Sequence, residues 1–271
     1  MLTIGVVTDE HFGPPAQFGG KLRKLTARAP ELAAAFATRM REHVRPDFVV
    51  NLGDCIEDES PAADLERYRA CLELLGTAGV DLVNVAGNHD RIHLDDATLL
   101  RAWGLPDTGA LYRSFDRGGV HFVVLATDET KDVSVRIDDE QLAWLRADLA
   151  ATAHPTVELM HHSAADQDLR GNRWFEKRPH LCLVKERKRL RQIFAEHGRT
   201  RVVINGHLHW NHLDVIEGIP YVTLQSLVEN VEDDAPGRPA AAHAVVRIGD
   251  RRIVVEVEGA HPCRYQFDDR P

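Results

Sequence analysis

Several kinds of protein are excluded by what this chain lacks. It has only four cysteines, Cys55, Cys71, Cys182 and Cys263. None forms a CxxC pair, and a disulfide framework is not expected at this length. Reduced thiols instead point to a cytoplasmic compartment. No apolar run approaches the roughly 20 residues a membrane helix needs. The N-terminal stretch Leu2 to Val7 is short, has no basic lead and is unlike a signal peptide. Positive charge is also scarce: 33 Lys and Arg against 42 Asp and Glu give a formal net charge of −9. A protein that grips long nucleic acid carries the opposite footprint. Internal repeats and low-complexity linkers are absent too. The 271 residues, 44% hydrophobic and 28% charged, are therefore expected to form one soluble α/β domain spanning 1–271, with residues 210–271 as its β-rich end.

What the chain does have is a set of polar clusters, each ending a strand-like hydrophobic segment. Leu2 to Thr8 runs into Asp9-Glu10-His11, Phe48 to Leu52 into Gly53-Asp54, and Leu82 to Ala86 into Gly87-Asn88-His89-Asp90. Val157 to Met160 runs into His161-His162, and Arg201 to Asn205 into Gly206-His207-Leu208-His209. Open α/β sheets place their sites at the carboxyl ends of strands. Any one of these motifs alone is most simply a turn or a helix cap; five in register argue for a shared site. Carboxylate, amide and imidazole together suit two transition metal ions, Mn, Fe, Zn or Co, better than Ca. Asp9 and His11 share a face of an extended segment, as do His207 and His209. Asp54, alone at its strand end, is the natural bridge, and Asn88 offers a neutral oxygen.

Between the clusters the pattern alternates. Helices are predicted from about Pro30 to Val44, Ala62 to Ala78 and Asp95 to Trp103. A hairpin is predicted around Asp116-Arg117-Gly118-Gly119. Asp138 reads as the N-cap of a helix to Ala150, with Gln141 as its capping-box partner, and a basic helix follows from Val184 to His197. Beyond His209 only strands are predicted, at His212 to Ile216, Tyr221 to Leu224, Ala241 to Ile248 and Ile253 to Val257. The acidic loop Glu229 to Pro239 reads as mobile surface. A sheet that begins parallel and ends antiparallel suggests two packed sheets with helices outside.

The order D-x-H, G-D, G-N-H-D, H and G-H-x-H from residue 9 to residue 209 resembles the calcineurin-like metallophosphoesterases. The resemblance implies a four-layer α/β/β/α sandwich of two mixed β-sheets flanked by helices. It implies one metal held by Asp9, His11, Asp54 and His209, and a second held by Asp54, Asn88, His161 and His207. It makes His89 the catalytic histidine, with Asp90 orienting its ring, and implies attack on phosphorus by a hydroxide between the metals. The family's Pro shortly after the fourth-strand histidine is missing here; His161 remains the expected ligand, and His162 is expected to support it or face substrate.

The doubled histidine and the G-H-x-H resemble cyclic-nucleotide and glycerophosphodiester phosphodiesterases, which favours a small phosphodiester substrate. A phosphomonoesterase or nucleotide pyrophosphohydrolase with the same centre is the main alternative; a nuclease or a non-catalytic scaffold fits less well. Arg173 and Trp174, beside Arg170 and Phe175, are candidates to cap the cleft and stack on a planar group, or are ordinary loop residues. Lys21, Arg23 and Lys24 read as a solvated helix lead-in, and Lys185 to Arg191 as a solvated helix face. Glu57 and Asp58 receive no role. His121 and the other eight histidines match no ligand spacing and read as structural or surface residues. A homodimer is compatible with the strands of the tail, which offer a sheet edge.

Overall fold

The computed structural model describes residues 1–15, 17–107, 109–129 and 134–268. Strand β1 (Leu2–Val7) is followed by helix α1 (Ala29–Arg39), which widens into a π-helical turn over Met40–Val44. Next come β2 (Phe48–Asn51), α2 (Pro61–Gly76), β3 (Leu82–Asn84) and α3 (Asp96–Ala102). The hairpin β4 (Arg113–Arg117) and β5 (Val120–Val124) turns at Gly118 and Gly119, as the sequence predicts. Two short strands, β6 (Asp128–Glu129) and β7 (Val135–Arg136), precede α4 (Asp139–Ala151), β8 (Thr156–Leu159), α5 (Arg187–His197) and β9 (Thr200–Asn205). The tail adds β10 (His212–Ile216), β11 (Ile219–Thr223), β12 (His243–Ile248), β13 (Arg252–Glu258) and β14 (Cys263–Asp268).

The strands form two six-stranded sheets, ordered β14-β13-β12-β1-β2-β3 and β10-β11-β9-β8-β5-β4. Pairing is parallel through β1, β2 and β3 and through β5, β8, β9 and β11, and antiparallel toward the outside. Alternate residues decide the layers. Ile4 and Val6, Phe48 and Val50, Val157 and Leu159, and Val202 and Ile204 meet between the sheets. Val7, Val49 and Val245 face α1 and α2, while Val123, Val203 and Tyr221 face α4 and α5. The result is the four-layer α/β/β/α sandwich. Among the described residues, no helix is long and apolar enough to cross a membrane.

Two local expectations change. Asp138 does cap α4, accepting from Gln141 N at 2.7 Å, but the Gln141 side chain does not close a capping box. It clamps Ala126 instead, accepting from Ala126 N at 2.9 Å and donating to Ala126 O at 2.8 Å, because the strand end needs partners more than the helix does. Strand β14 is also new; its alternating exposure follows from an edge position on β13.

His121 is structural, as expected. Its Nδ1 lies 2.7 Å from Asp116 and its Nε2 2.9 Å from Asp148, clamping the hairpin to α4. Burial opposes its charge, but the two carboxylates outweigh that and raise its pKa. A raised folded-state pKa gives stability that is complete below the unfolded value of about 6.5 and lost as pH rises through the folded value. The urea-midpoint difference between wild type and His121→Gln is therefore expected to be larger at pH 6 than at pH 9. Equal differences at both pH values would mean that the imidazole is held neutral.

Candidate metal centre

The five motifs meet at one end of the sandwich, and close backbone approach brings them there. A Cβ on Gly87 would lie 2.1 Å from Asp54 Oδ1 and 2.2 Å from Asp54 N; one on Gly206 would lie 2.0 Å from Thr8 Oγ1. The glycine of each motif is thus a requirement of loop contact. Asp9, His11, Asp54, His207 and His209 all adopt positive φ, between 46° and 66°. Each such residue costs of order 1–3 kcal/mol and persists only where its surroundings dictate it. Here pairing runs on past the strands: Asp9 N donates to Gly53 O at 2.9 Å, His11 N to Asp54 O at 3.0 Å and Phe12 N to Cys55 O at 2.8 Å.

Each aspartate divides its oxygens between scaffold and site. Asp9 Oδ2 accepts from Thr8 Oγ1 at 2.7 Å and His207 N at 3.0 Å, leaving Oδ1 3.3 Å from His209 Nε2. Asp54 Oδ1 accepts from His89 N at 2.9 Å, leaving Oδ2 3.3 Å from His161 Nε2 and 3.9 Å from His11 Nε2. His11 Nε2 and His209 Nε2 lie 3.2 Å apart, as do His161 Nε2 and His207 Nδ1, and Asn88 Oδ1 is 3.2 Å from His161 Nε2. The donors therefore fall into two groups with Asp54 Oδ2 between them. All the aspartates and histidines of the two groups are buried.

The charges fit cations. Asp54 is held well below the usual carboxylate range; burial opposes this, and His161 and His89 outweigh it. Against burial, Asp54 lifts His161 to about 10 and Asp9 lifts His209 to about 9, whereas burial lowers His11 to about 4 and His207 to about 3. Ligand sets that hold protons this tightly release them when a metal binds. Asp9 Oδ1 is fully buried and its near neighbour is the His209 imidazole at 3.3 Å, outside good hydrogen-bond geometry, which leaves it open to a cation.

The structure corrects several expectations. Asp90 does not orient His89. Its Oδ2 accepts from Asp54 N and Gly87 N, both at 2.9 Å, tying two motif loops together. Asp58 takes the orienting place, 2.5 Å from His89 Nδ1. Asp54 and Asp58 raise the His89 pKa against burial. With 26% of its side chain exposed, His89 is open to solvent where Asp90 of the same motif is buried. His162 does not face substrate. It is fully buried, with Nδ1 2.7 Å from Thr127 Oγ1 and its ring 4.1 Å from that of His207. Arg173 is not free for phosphate: it donates to Asn230 O at 2.7 Å and pairs with Glu229 at 3.0 Å and with Asp233. Trp174 packs edge-on against His209 at 5.0 Å, and Phe175 stacks on His207 at 4.7 Å, so the irregular segment roofs the last motif.

The first residues of the acidic loop are part of the site wall, while most of the rest of it lies at the surface as expected. Glu229 is buried and lies 2.8 Å from His209 Nδ1; Asn230, also buried, donates to Leu22 O and Asp234 O. Lys24 pairs with Glu57 at 2.5 Å, and Glu57 lies 3.1 Å from His11 Nδ1. Lys21 and Arg23 face Asp233 at 3.1 and 3.9 Å. Glu129, unmarked in the sequence, is hydrogen-bonded by the Asn88 side chain. Glu10 lies with Cys55 and Cys71 rather than with its neighbours, and burial keeps its carboxyl protonated far above the usual range.

The family model for calcineurin-like phosphoesterases matches residues 2–211. The chain belongs to that family. It is 27% identical over 215 residues to a probable cyclic nucleotide phosphodiesterase of Synechococcus sp., covering 77% of this chain and 73% of the relative. It is 29% identical over 182 residues to a cAMP/cGMP dual specificity phosphodiesterase of Mycobacterium tuberculosis, covering 65% of this chain and 53%, about half, of that relative. The fold matches the crystal structure of a dimetal phosphatase from Danio rerio with a TM-score of 0.76 at 16% identity, covering 97% and 98% of the two chains.

Asp58 and Asp90 should separate experimentally. Asp58→Ala is expected to slow phosphoester hydrolysis about 10–100-fold, the usual effect of losing an orienting partner, with the melting temperature unchanged. Asp90→Ala leaves two buried N–H groups without an acceptor and is expected to destabilise the fold by about 2–4 kcal/mol. The reverse pattern would return the orienting role to Asp90.

Proposed function

We propose that this phosphoester hydrolase cleaves a small phosphodiester of the cyclic-nucleotide class at a centre of two transition metal ions, Mn, Fe or Zn. One ion would be held by Asp9, His11, Asp54 and His209, the other by Asp54, Asn88, His161 and His207. The carrying observation is the sharing of Asp54 Oδ2 between two convergent donor groups. Bound ions would supply Lewis acidity toward the phosphoryl oxygens and a hydroxide nucleophile at neutral pH. The unit that performs this is the whole chain, because β12 to β14 complete the sheet that β1 begins.

The remaining work falls to the chain. With Nδ1 of His89 taken by Asp58, Nε2 is the nitrogen left to hydrogen-bond the phosphoryl or leaving oxygen and to protonate the latter. Trp174 and Phe175 fix His209 and His207 and keep water from their outer faces. Cations near the cleft favour a diester over a monoester: among the described residues, Lys24, Arg91 and Arg173 are each paired with carboxylates, Glu57, Asp96 and Glu229. A monoester dianion asks for more unpaired positive charge than a diester monoanion does. The names of the two bacterial relatives support the same substrate class.

The test is hydrolysis of bis-p-nitrophenyl phosphate beside p-nitrophenyl phosphate by metal-stripped protein with Mn, Zn, Mg or nothing restored. Preference for the diester with Mn is expected. Asp54→Ala should abolish turnover, and His89→Ala should retain metal while losing roughly 10²–10⁴-fold in rate. Preference for the monoester would move the assignment to a phosphatase.

A further inference from the structure

One buried cluster takes no part in the centre at the strand ends. Glu10, Cys55 and Cys71 are each 0% exposed, and each brings a ligand atom within 4.8 Å of the others. Glu10 stands between two candidate ligands in sequence, Asp9 and His11, yet its carboxyl group leaves theirs for the thiols. Those thiols belong to the apolar layer between the first sheet and its helices, with Tyr68, Leu75 and Leu99. Cys55 enters it from the loop after β2, and Cys71 from α2.

A carboxyl group in such a place needs partners. Among the described residues, neither Glu10 Oε1 nor Glu10 Oε2 has a hydrogen-bond partner. The charged groups that act on it most are Asp9, Asp90 and Asp54, all of its own sign. Asp90 Oδ1 is buried without a partner as well. The donors at hand are directed elsewhere: Asn51 Nδ2 donates to Cys55 Sγ at 2.9 Å, and the Trp103 indole donates to Tyr68 Oη at 2.7 Å. Two thiols beside a carboxyl group with both oxygens unsatisfied are a donor set without its cation.

We propose that Glu10, Cys55 and Cys71 bind a further ion, Zn²⁺, separate from the dinuclear centre. Sulfur donors select Zn²⁺ over the hard cations Mg²⁺ and Ca²⁺. The two sulfurs and the two free oxygens of Glu10 offer the four donor atoms that a closed structural zinc site uses. Binding displaces the protons of the thiols and of the carboxyl group. The role of the ion is to hold segments together: it ties the loop of Asp9 and His11 to the loop of Asp54, and both to α2. It shares no ligand with the dinuclear centre, so the two stand or fall separately.

The experiment uses the full chain produced in zinc-depleted medium with Co²⁺ added, so that the ion is present while the buried site forms. Metal content and the absorption spectrum are then measured. Wild type is expected to show a thiolate-to-cobalt charge-transfer band in the near ultraviolet, which donor groups without cysteine cannot give. His209→Ala should keep this band while losing metal from the strand-end centre. Cys71→Ala, on α2 and outside that centre, should lose the band and one equivalent of metal. Glu10→Gln should lose them too, so misfolding of one variant leaves the other decisive. Wild type that holds cobalt without the band, or a band that survives Cys71→Ala, would overturn the proposal and leave the dinuclear centre standing. A band accompanied by a single equivalent of cobalt in wild type would support the proposal and overturn the dinuclear reading instead.

Discussion

Everything at this site depends on how closely the backbone of the Asp54 loop approaches its neighbours. Gly87 comes so near that any side chain would strike Asp54, and Asp90 fastens the two loops by accepting from Asp54 N and Gly87 N at once. On the other side, residues 9 to 12 pair with residues 53 to 55 after the strands have ended. With both flanks fixed, Asp54 has one oxygen committed to His89 N and one oxygen left between the two donor groups. The positive φ angles of the candidate ligands are the conformational cost of this arrangement. Loops free to relax would leave those angles; parallel strands buried on both faces, with helices packed outside, do not allow it.

How much of this was legible in the sequence follows from the range of the interactions. The seven candidate ligands could be named because each lies within a few residues of a strand end, and strand ends show in the hydrophobic pattern. The layer order could be inferred because helices alternate with strands up to His209 and stop thereafter. What escaped was contact between distant segments. Asp58 lies 31 positions from His89, and Glu229 lies 20 from His209. Asp90, adjacent to His89 in sequence, was the obvious partner, but at the start of a 3-10 turn its carboxylate is directed into the loop backbone. Gln141 failed as a capping-box partner for a similar reason: a strand end across the domain offered it two hydrogen bonds. Glu229, at the start of the acidic loop after β11, looked like solvated surface because composition shows charge but not the partner that buries it.

Burial of so much charge raises the question of what balances it. Around the first donor group lie Asp9, Asp54, Glu57 and Glu229, with Lys24 and Arg173 as the fixed cations. That balance leaves the group negative until a histidine takes up a proton or a metal binds, and the pKa of His209, lifted by Asp9 against burial, is in keeping with the first alternative. The net charge of the chain, which argues against a nucleic-acid groove, is in part the acidity of a site meant to hold cations.

The same pairing shapes substrate choice. In sequence alone, Arg23 and Lys24 read as a solvated helix lead-in and Arg173 as a cap over the cleft or an ordinary loop residue. Here Arg23, Lys24 and Arg173 face inward, toward Asp233, Glu57 and Glu229, and their role is to make buried carboxylates tolerable behind the histidines. Under the proposed function, recognition of the phosphoryl group would then be left to the metals and to His89. Phe18 is exposed and lies 5.1 Å from Trp174, and Ile92 is exposed three residues after His89. Under the proposed function, a centre of this kind would discriminate little by charge and much by the geometry of the ester.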